Sequence, residues 1–266
     1  NYEVRHHHRI STHAYLSGLY TNLIKTQNLH TCTMLLHETP RNLSGKKHSS
    51  QLWIMRQMKD PYIEKAKQEK YRCRSAFKLL EINERYNILK PGQIVIDCGA
   101  APGSWTQVAM KLTNADAKSD DSVGTVVAID KQPIYPIEGA TLLGNMDFTV
   151  AASQKKLLEL LKGDKADVVL SDMAPNASGI RDLDHDNIIR LVYAALKFAI
   201  QVTKIDGTFV GKVWDGGKSQ QLEKDLLRFY KTVKSVRPQA TRDESTEKFF
   251  LARGFKGIKS IPSNII

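Results

Sequence analysis

The chain predicts an α/β protein with a doubly wound, mostly parallel sheet and helices on both faces. Three observations carry this. Apolar strand-like runs and helical segments alternate from Gln93 to Phe255. Residues Gln93 to Trp105 read QIVIDCGAAPGSW, a β-branched run followed by a small-residue turn and a helix start. Four successive runs also lead into an aspartate, at Asp97, Asp130, Asp147 and Asp172. In open α/β sheets ligands sit beyond the carboxyl ends of the strands, so these acids should gather on one rim.

Residues 1 to about 50 stand apart. They are basic and rich in hydroxyl side chains, hold only Glu3 and Glu38 as acids, and contain every histidine except His185. Such a composition suits a mitochondrial transit segment or a basic arm that touches RNA. The run His6 to His8 is read as incidental, with no metal assigned. Residues 52 to 70 form a charged helical lead-in, where Pro61 suits a first turn after Asp60. Tyr71 to Tyr86 reads as one helix, with Phe77, Leu79, Leu80 and Ile82 apolar and Arg72, Arg74 and Lys78 clustered at its start.

The central strand and turn follow, and their helix runs to about Leu112. Asn114 to Ser122 is a polar loop, and Gly124 to Asp130 (GTVVAID) is the next strand. Ala140 to Phe148 is a third strand ending in Asp147, and Ser153 to Leu161 a helix. Ala166 to Gly179 (ADVVLSDMAPNASG) is a strand that turns sharply after Asp172. A long helix runs from about Asp186 to Thr203, with Leu191, Ala194, Ala195, Phe198 and Val202 on one face. Gly207 to Gly217 is a strand, Ser219 to Tyr230 a helix, and Thr232 to Arg237 a strand. The charged loop Pro238 to Glu244 then leads into a closing strand, Ser245 to Phe255, which carries Glu247 at its start. The short connection suggests an antiparallel hairpin.

At 266 residues with 41% hydrophobic content, the chain can bury one good-sized core. The net charge of +11 favours nucleic acid, an acidic surface or a ribosome as partner. No apolar run reaches the length of a membrane helix, so no membrane insertion is expected. Three scattered cysteines (Cys32, Cys73 and Cys98) indicate neither a disulfide framework nor a zinc site.

The turn after Asp97 lacks the G-x-x-x-x-G-K-[ST] pattern of a triphosphate loop and is not a strict G-x-G-x-x-G. It points instead to a nucleoside ligand without a pyrophosphate, with Asp130 placed to hold ribose hydroxyls. Lys212 lies inside an apolar strand, where a lysine is costly unless it is paired or serves a site. Lys78 taken alone reads as a surface lysine on an amphipathic helix.

Five separated signals, in this order, resemble the FtsJ-like ribosomal RNA 2′-O-methyltransferases. They are FKL (Phe77 to Leu79), DCGAAPGSW, LSDMAPNASG, GKVW around Lys212 and STEKF around Glu247. The resemblance runs from about Ser50 to about Gly257 and is greatest to the mitochondrial branch. It implies a Rossmann-like S-adenosylmethionine-dependent methyltransferase fold with seven strands, in a domain of residues 51–258 between an N-terminal arm (1–50) and a short tail (259–266). It further implies methylation of a uridine 2′-hydroxyl in mitochondrial large-subunit ribosomal RNA, in the matrix. Alternatives are the same chemistry on tRNA or another RNA in the cytosol, or a scaffold role in ribosome assembly. The substrate would be the RNA or a precursor ribosomal particle, and the enzyme a monomer.

Carried over by motif, the family's Lys-Asp-Lys-Glu tetrad falls on Lys78, Asp172, Lys212 and Glu247. Pro102, Gly103, Ser104 and Trp105 match the methionine side of the cofactor site. Asp130 matches the ribose clamp, Asp147 and Phe148 the adenine pocket, and Asp172 touches both cofactor and chemistry. No metal is implied. On this reading Lys78 lowers the proton affinity of Lys212, which then accepts the hydroxyl proton. Arg72, Arg74, Lys78 and the loop Arg237 to Arg242 would contact RNA phosphates.

Overall fold

The computed structural model describes residues 48–176 and 178–258. The expected arm before residue 48 and the tail after 258 lie outside the described residues. Among the described residues, seven strands form one sheet in the order β3-β2-β1-β4-β5-β7-β6. These are β1 (Ile94–Cys98), β2 (Thr125–Ile129), β3 (Ala140–Leu143), β4 (Ala166–Ser171), β5 (Thr203–Trp214), β6 (Tyr230–Val236) and β7 (Glu247–Phe255). β1 to β5 pair in parallel, while β7 runs antiparallel between β5 and β6.

The helices are α1 (His48–Lys59), α2 (Pro61–Gln68), α3 (Ala76–Tyr86), α4 (Ser104–Leu112), α5 (Ala151–Leu161), α6 (Arg181–Val202) and α7 (Ser219–Phe229). Asp60 caps α2 by accepting from the Tyr62 N–H at 3.1 Å, and Pro61 opens the helix, as the sequence suggests.

Each face of the sheet carries its own core. The β1 residues Ile96 and Cys98 pack with α5, α6 and α7, whereas Val95 packs with α3 and α4. The two-residue strand period places Asp97 on the same side as Val95, toward α4. By the same period Val210 and Lys212 of β5 share that side, as do Glu247, Phe249 and Leu251 of β7. Because β7 is antiparallel, its first residue, Glu247, lies opposite Trp214 at the end of β5. This parity brings a lysine and a glutamate from two different strands to one rim and one face.

Several boundaries differ from the sequence reading. Residues 71–75 form a bent segment, and the helix begins at Ala76, so Arg72 and Arg74 precede it. β3 stops at Leu143, and Asp147 sits in the following turn, where its Oδ1 accepts from the Thr149 N–H (2.8 Å) and hydroxyl (2.6 Å). Asn145, at φ 58, turns the chain away before a longer strand can form. α6 starts at Arg181, five residues early, and buries Ile188, Ile189, Val192 and Leu196 together with the expected Ala195, Phe198 and Val202. Leu191 and Ala194 are only partly buried, because the helix presents a broader apolar face than one stripe.

Candidate active site

The turn after β1 is shaped by two glycines in left-handed backbone. At Gly99 (φ +80) an added Cβ would fall 2.4 Å from the Met173 Cγ, so the loops after β1 and β4 meet here. Gly103 (φ +111) is the residue before α4, and an added Cβ would lie 2.8 Å from both the Arg72 Nη1 and the Ile137 Cδ1. Only glycine combines that conformation with that proximity. The Ala101–Pro102 bond is cis. The helix then begins with the N–H groups of Ser104, Trp105 and Thr106, which precede the first intrahelical bond from Gln107 to Gly103 (2.9 Å). They offer donors and a positive dipole end to an anionic group.

Two predicted cofactor side chains are turned elsewhere. The Trp105 indole is 2% exposed; its Nε1 donates to the Ser75 carbonyl at 2.8 Å and its ring lies 5.4 Å from that of Phe249. It ties α4 to the start of α3 and to β7, so a ligand would meet its backbone. The Phe148 ring is likewise in the core, edge-on to Phe198 at 5.3 Å. Ser104 is buried, with its Oγ 3.0 Å from the Cys73 Sγ.

The aspartates do converge. Asp130 accepts from the Ala101 N–H (3.0 Å) and the Gln132 N–H (2.7 Å), which fixes the loop above β1. Burial raises its pKa despite those two bonds. The fully buried Asp97 accepts from the Thr106 hydroxyl at 2.7 Å, while its Oδ1 has no hydrogen-bond partner. Burial, reinforced by Asp172 and Asp130, pushes its pKa up to about 7. Asp147 is exposed, and Thr149 holds its carboxyl below the ordinary range.

Lys78, Asp172, Lys212 and Glu247 form one chain of alternating charge. The Lys78 Nζ is 2.5 Å from the Glu247 Oε1, and the Glu247 Oε2 is 4.0 Å from the Lys212 Nζ. The Lys212 Nζ is 2.9 Å from the Asp172 Oδ1 and donates to the Asp172 carbonyl at 2.6 Å. The Asp172 Oδ2 accepts from the Ser75 hydroxyl at 2.8 Å. Ser75 precedes Lys78 by three residues, so the chain of contacts closes on the start of α3.

The four charges sum to zero, and this compensates for their burial. Burial alone would lower the Lys212 pKa, but Asp172 and Glu247 outweigh it and raise it. Burial would raise the Asp172 pKa, but Lys212 and Lys78 hold it below the ordinary carboxylate range. The expectation that Lys78 depresses Lys212 is therefore corrected: two carboxylates reach Lys212, and one of them also neutralises Lys78.

The sequence did not single out Ser75, although its i,i+3 spacing from Lys78 was a usable signal. The arginines read as phosphate contacts also bond within the fold. Arg72 donates to the carbonyls of Pro102 (2.8 Å), Tyr135 (2.9 Å) and Pro136 (2.7 Å), clamping the cofactor loop. Arg74 pairs with Asp60 and the Ala240 carbonyl, Arg242 also pairs with Asp60, and Arg237 donates to the carbonyl of Arg242. These bonds tie the cofactor loop, α2 and the loop before β7 to one another. Among the described residues no cluster of three or more His, Cys, Asp or Glu could hold a metal, and no helix could cross a membrane.

Comparison with known proteins places this arrangement. The family model for FtsJ-like methyltransferases matches residues 71–255. The chain is 52% identical to the Drosophila melanogaster rRNA methyltransferase 2, mitochondrial, over 83% of this chain and 88% of the relative. It is 46% identical to the Ruegeria pomeroyi ribosomal RNA large subunit methyltransferase E, over 80% and 91%. A crystal structure of a Plasmodium falciparum protein described as a ribosomal RNA methyltransferase aligns with TM-score 0.62 at 28% identity, over 70% of this chain and all of that one. The chain belongs to the FtsJ-like methyltransferase family.

Proposed function

We propose that the chain is an S-adenosylmethionine-dependent 2′-O-methyltransferase. Its substrate would be a uridine in mitochondrial large-subunit ribosomal RNA, free or in a precursor particle, and the enzyme would work as a monomer in the matrix. The observation that carries the reading is the neutral ring of two lysines and two acids beside the glycine-shaped loop. The relatives, a mitochondrial rRNA methyltransferase and a large subunit rRNA methyltransferase, support the ribosomal RNA and the mitochondrion.

The residues fit the cofactor. Pro102, Gly103 and the N–H groups of Ser104 and Trp105 would take its carboxylate end, and the buried Asp97 Oδ1, with no hydrogen-bond partner, lies beneath the same loop. Asp130 would hold the ribose, and Asp147 with the Phe148 backbone the adenine. When bound, S-adenosylmethionine supplies an electrophilic methyl group on a cationic sulfonium.

The chain's own residues then position the acceptor. An ammonium has three donors; Lys212 gives one to the Asp172 carbonyl and is also ion-paired with the Asp172 Oδ1. A further donor is available beside the Glu247 Oε2, 4.0 Å away. An oxygen at ordinary hydrogen-bond distance, about 2.8 Å, from both atoms would subtend an angle of about 90°. That suits a 2′-hydroxyl that accepts from Lys212 and donates to Glu247. The hydroxyl oxygen would bond the methyl carbon as the carbon–sulfur bond breaks and a neutral thioether leaves, and the acidified O–H would pass its proton to Glu247. Lys212 stays an ammonium and stabilises negative charge on the oxygen, while Lys78 holds Glu247 in place.

The test maps 2′-O-methyl marks on mitochondrial large-subunit RNA from cells carrying wild type or Lys212→Ala. One ribose should lose its methyl group in the variant. If every mark persists while the variant still binds cofactor, the assignment is wrong.

A further inference from the structure

Between the start of α6, the end of β5 and the residue before β7 lies a cavity of about 350 Å³. Its lining includes Arg181, Asp182 and His185 of α6, Trp214 and Asp215 at the end of β5, and Gly217. Nothing in the cofactor reading uses it. Its walls adjoin the tetrad along the chain: Trp214 and Asp215 follow Lys212 at the end of β5, and Thr246 precedes Glu247 at the start of β7. Trp214 is two residues past Lys212 and pairs in register with Glu247. An acceptor ribose held between Lys212 and Glu247 would thus have this cavity as its neighbour.

The chemistry of the walls suits a base better than a phosphate. Arg181 shares the lining with Asp182 and Asp184, and Lys248 pairs with Asp215 at 2.6 Å, so the walls carry no surplus of positive charge to hold a phosphate. Trp214 is half-buried, packed against the core under α6, and contributes to the cavity wall. The His185 ring lies against Gly216, where an added Cβ would come within 2.5 to 3.0 Å of it. A flat, neutral, hydrogen-bonding ring is the ligand such walls select, and the volume is at the small end for small-molecule pockets.

Resting on the methyltransferase reading above, we propose that this cavity receives the nucleobase of the methylated nucleotide, with Trp214 as its stacking platform. The base is then gripped while its ribose faces Lys212. Stacking on an aromatic side chain changes affinity by about 10-fold or more per base.

The experiment uses the full chain and the ribosomal RNA segment that carries the methylated ribose, in two forms. One is intact and the other has an abasic ribose at the acceptor position. Wild type should lose about 10-fold in kcat/KM on the abasic form. Trp214→Ala should lose the same factor on intact RNA and almost nothing on the abasic form, while Trp214→Phe should keep most of the intact rate. Gly217→Leu is a second variant that fills the cavity from its rim, since an added Cβ there meets nothing within 4 Å. It should show the same substrate-selective loss. An equal loss on both RNA forms would mean that Trp214 acts only through the fold, and no loss on either would mean that the base lies elsewhere; both overturn the proposal. If wild type transfers no methyl group to RNA, the parent reading falls with it, whereas an active wild type with indifferent variants removes the pocket alone.

Discussion

Raising the pH from 7 to 9 should leave kcat/KM of the wild-type enzyme nearly unchanged. The reasoning starts from the Lys212 Nζ, 2.9 Å from the Asp172 Oδ1. At an effective dielectric of about 20, that contact is worth about 6 kcal/mol of Coulomb attraction, against a desolvation penalty of several kcal/mol for each ion. Glu247 adds part of a second attraction from 4.0 Å. The balance raises the Lys212 pKa, so Lys212 is an ammonium at neutral pH. A mechanism that needed the neutral amine would therefore speed up about 10-fold per pH unit, or about 100-fold across this window. The ammonium mechanism has no such dependence. The assay is single-turnover methyl transfer at limiting RNA and saturating cofactor, which keeps the titration of Asp97 near pH 7 out of the measured step. Lys212→Ala should be slow by a factor of about 10² to 10⁴ and equally flat. A unit-slope rise in the wild type that disappears in Lys212→Ala would refute the ammonium role and make Lys212 the base.

Four further outcomes follow from the same geometry. Glu247→Gln leaves Lys78 and Lys212 sharing one carboxylate, so it should slow transfer at least 100-fold and cost about 3 kcal/mol in chemical denaturation. Gly103→Ala forces a Cβ against Arg72 and Ile137 at φ +111, and calorimetry should show cofactor affinity falling about 10-fold or more. Arg72→Ala frees three carbonyls around the cofactor loop, so it should lower the melting temperature and cofactor affinity while leaving the salt dependence of RNA binding unaltered. Asp97 has its folded pKa raised to about 7, so its contribution favours folding at low pH and is lost as pH rises from about 4 through 7. Unfolding curves of Asp97→Asn and wild type should accordingly diverge over that window, by up to about 4 kcal/mol in favour of the variant at the upper end.

Much of this protein was legible one residue at a time. The apolar runs of β1, β2 and β4 are buried on both faces and have to be parallel interior strands, so their order of appearance announced the α/β class. Asp60 and Pro61 announced the start of α2, and the small residues around Gly103 announced a turn that approaches a ligand. Lys212 was conspicuous because an apolar strand cannot hold an unpaired lysine. Other features depend on contacts between distant parts of the chain, which local periodicity does not encode. The insertion of β7 between β5 and β6 is one, and it alone sets Glu247 beside Lys212. The fate of the arginines is another: nothing local distinguishes an arginine for phosphates from one that finds three carbonyls across the fold. The protonation of Lys212 is the last. Sequence order named its neighbours, but distance and burial set the sign of its shift, because two carboxylates lie closer to it than any repelling charge that is not itself neutralised.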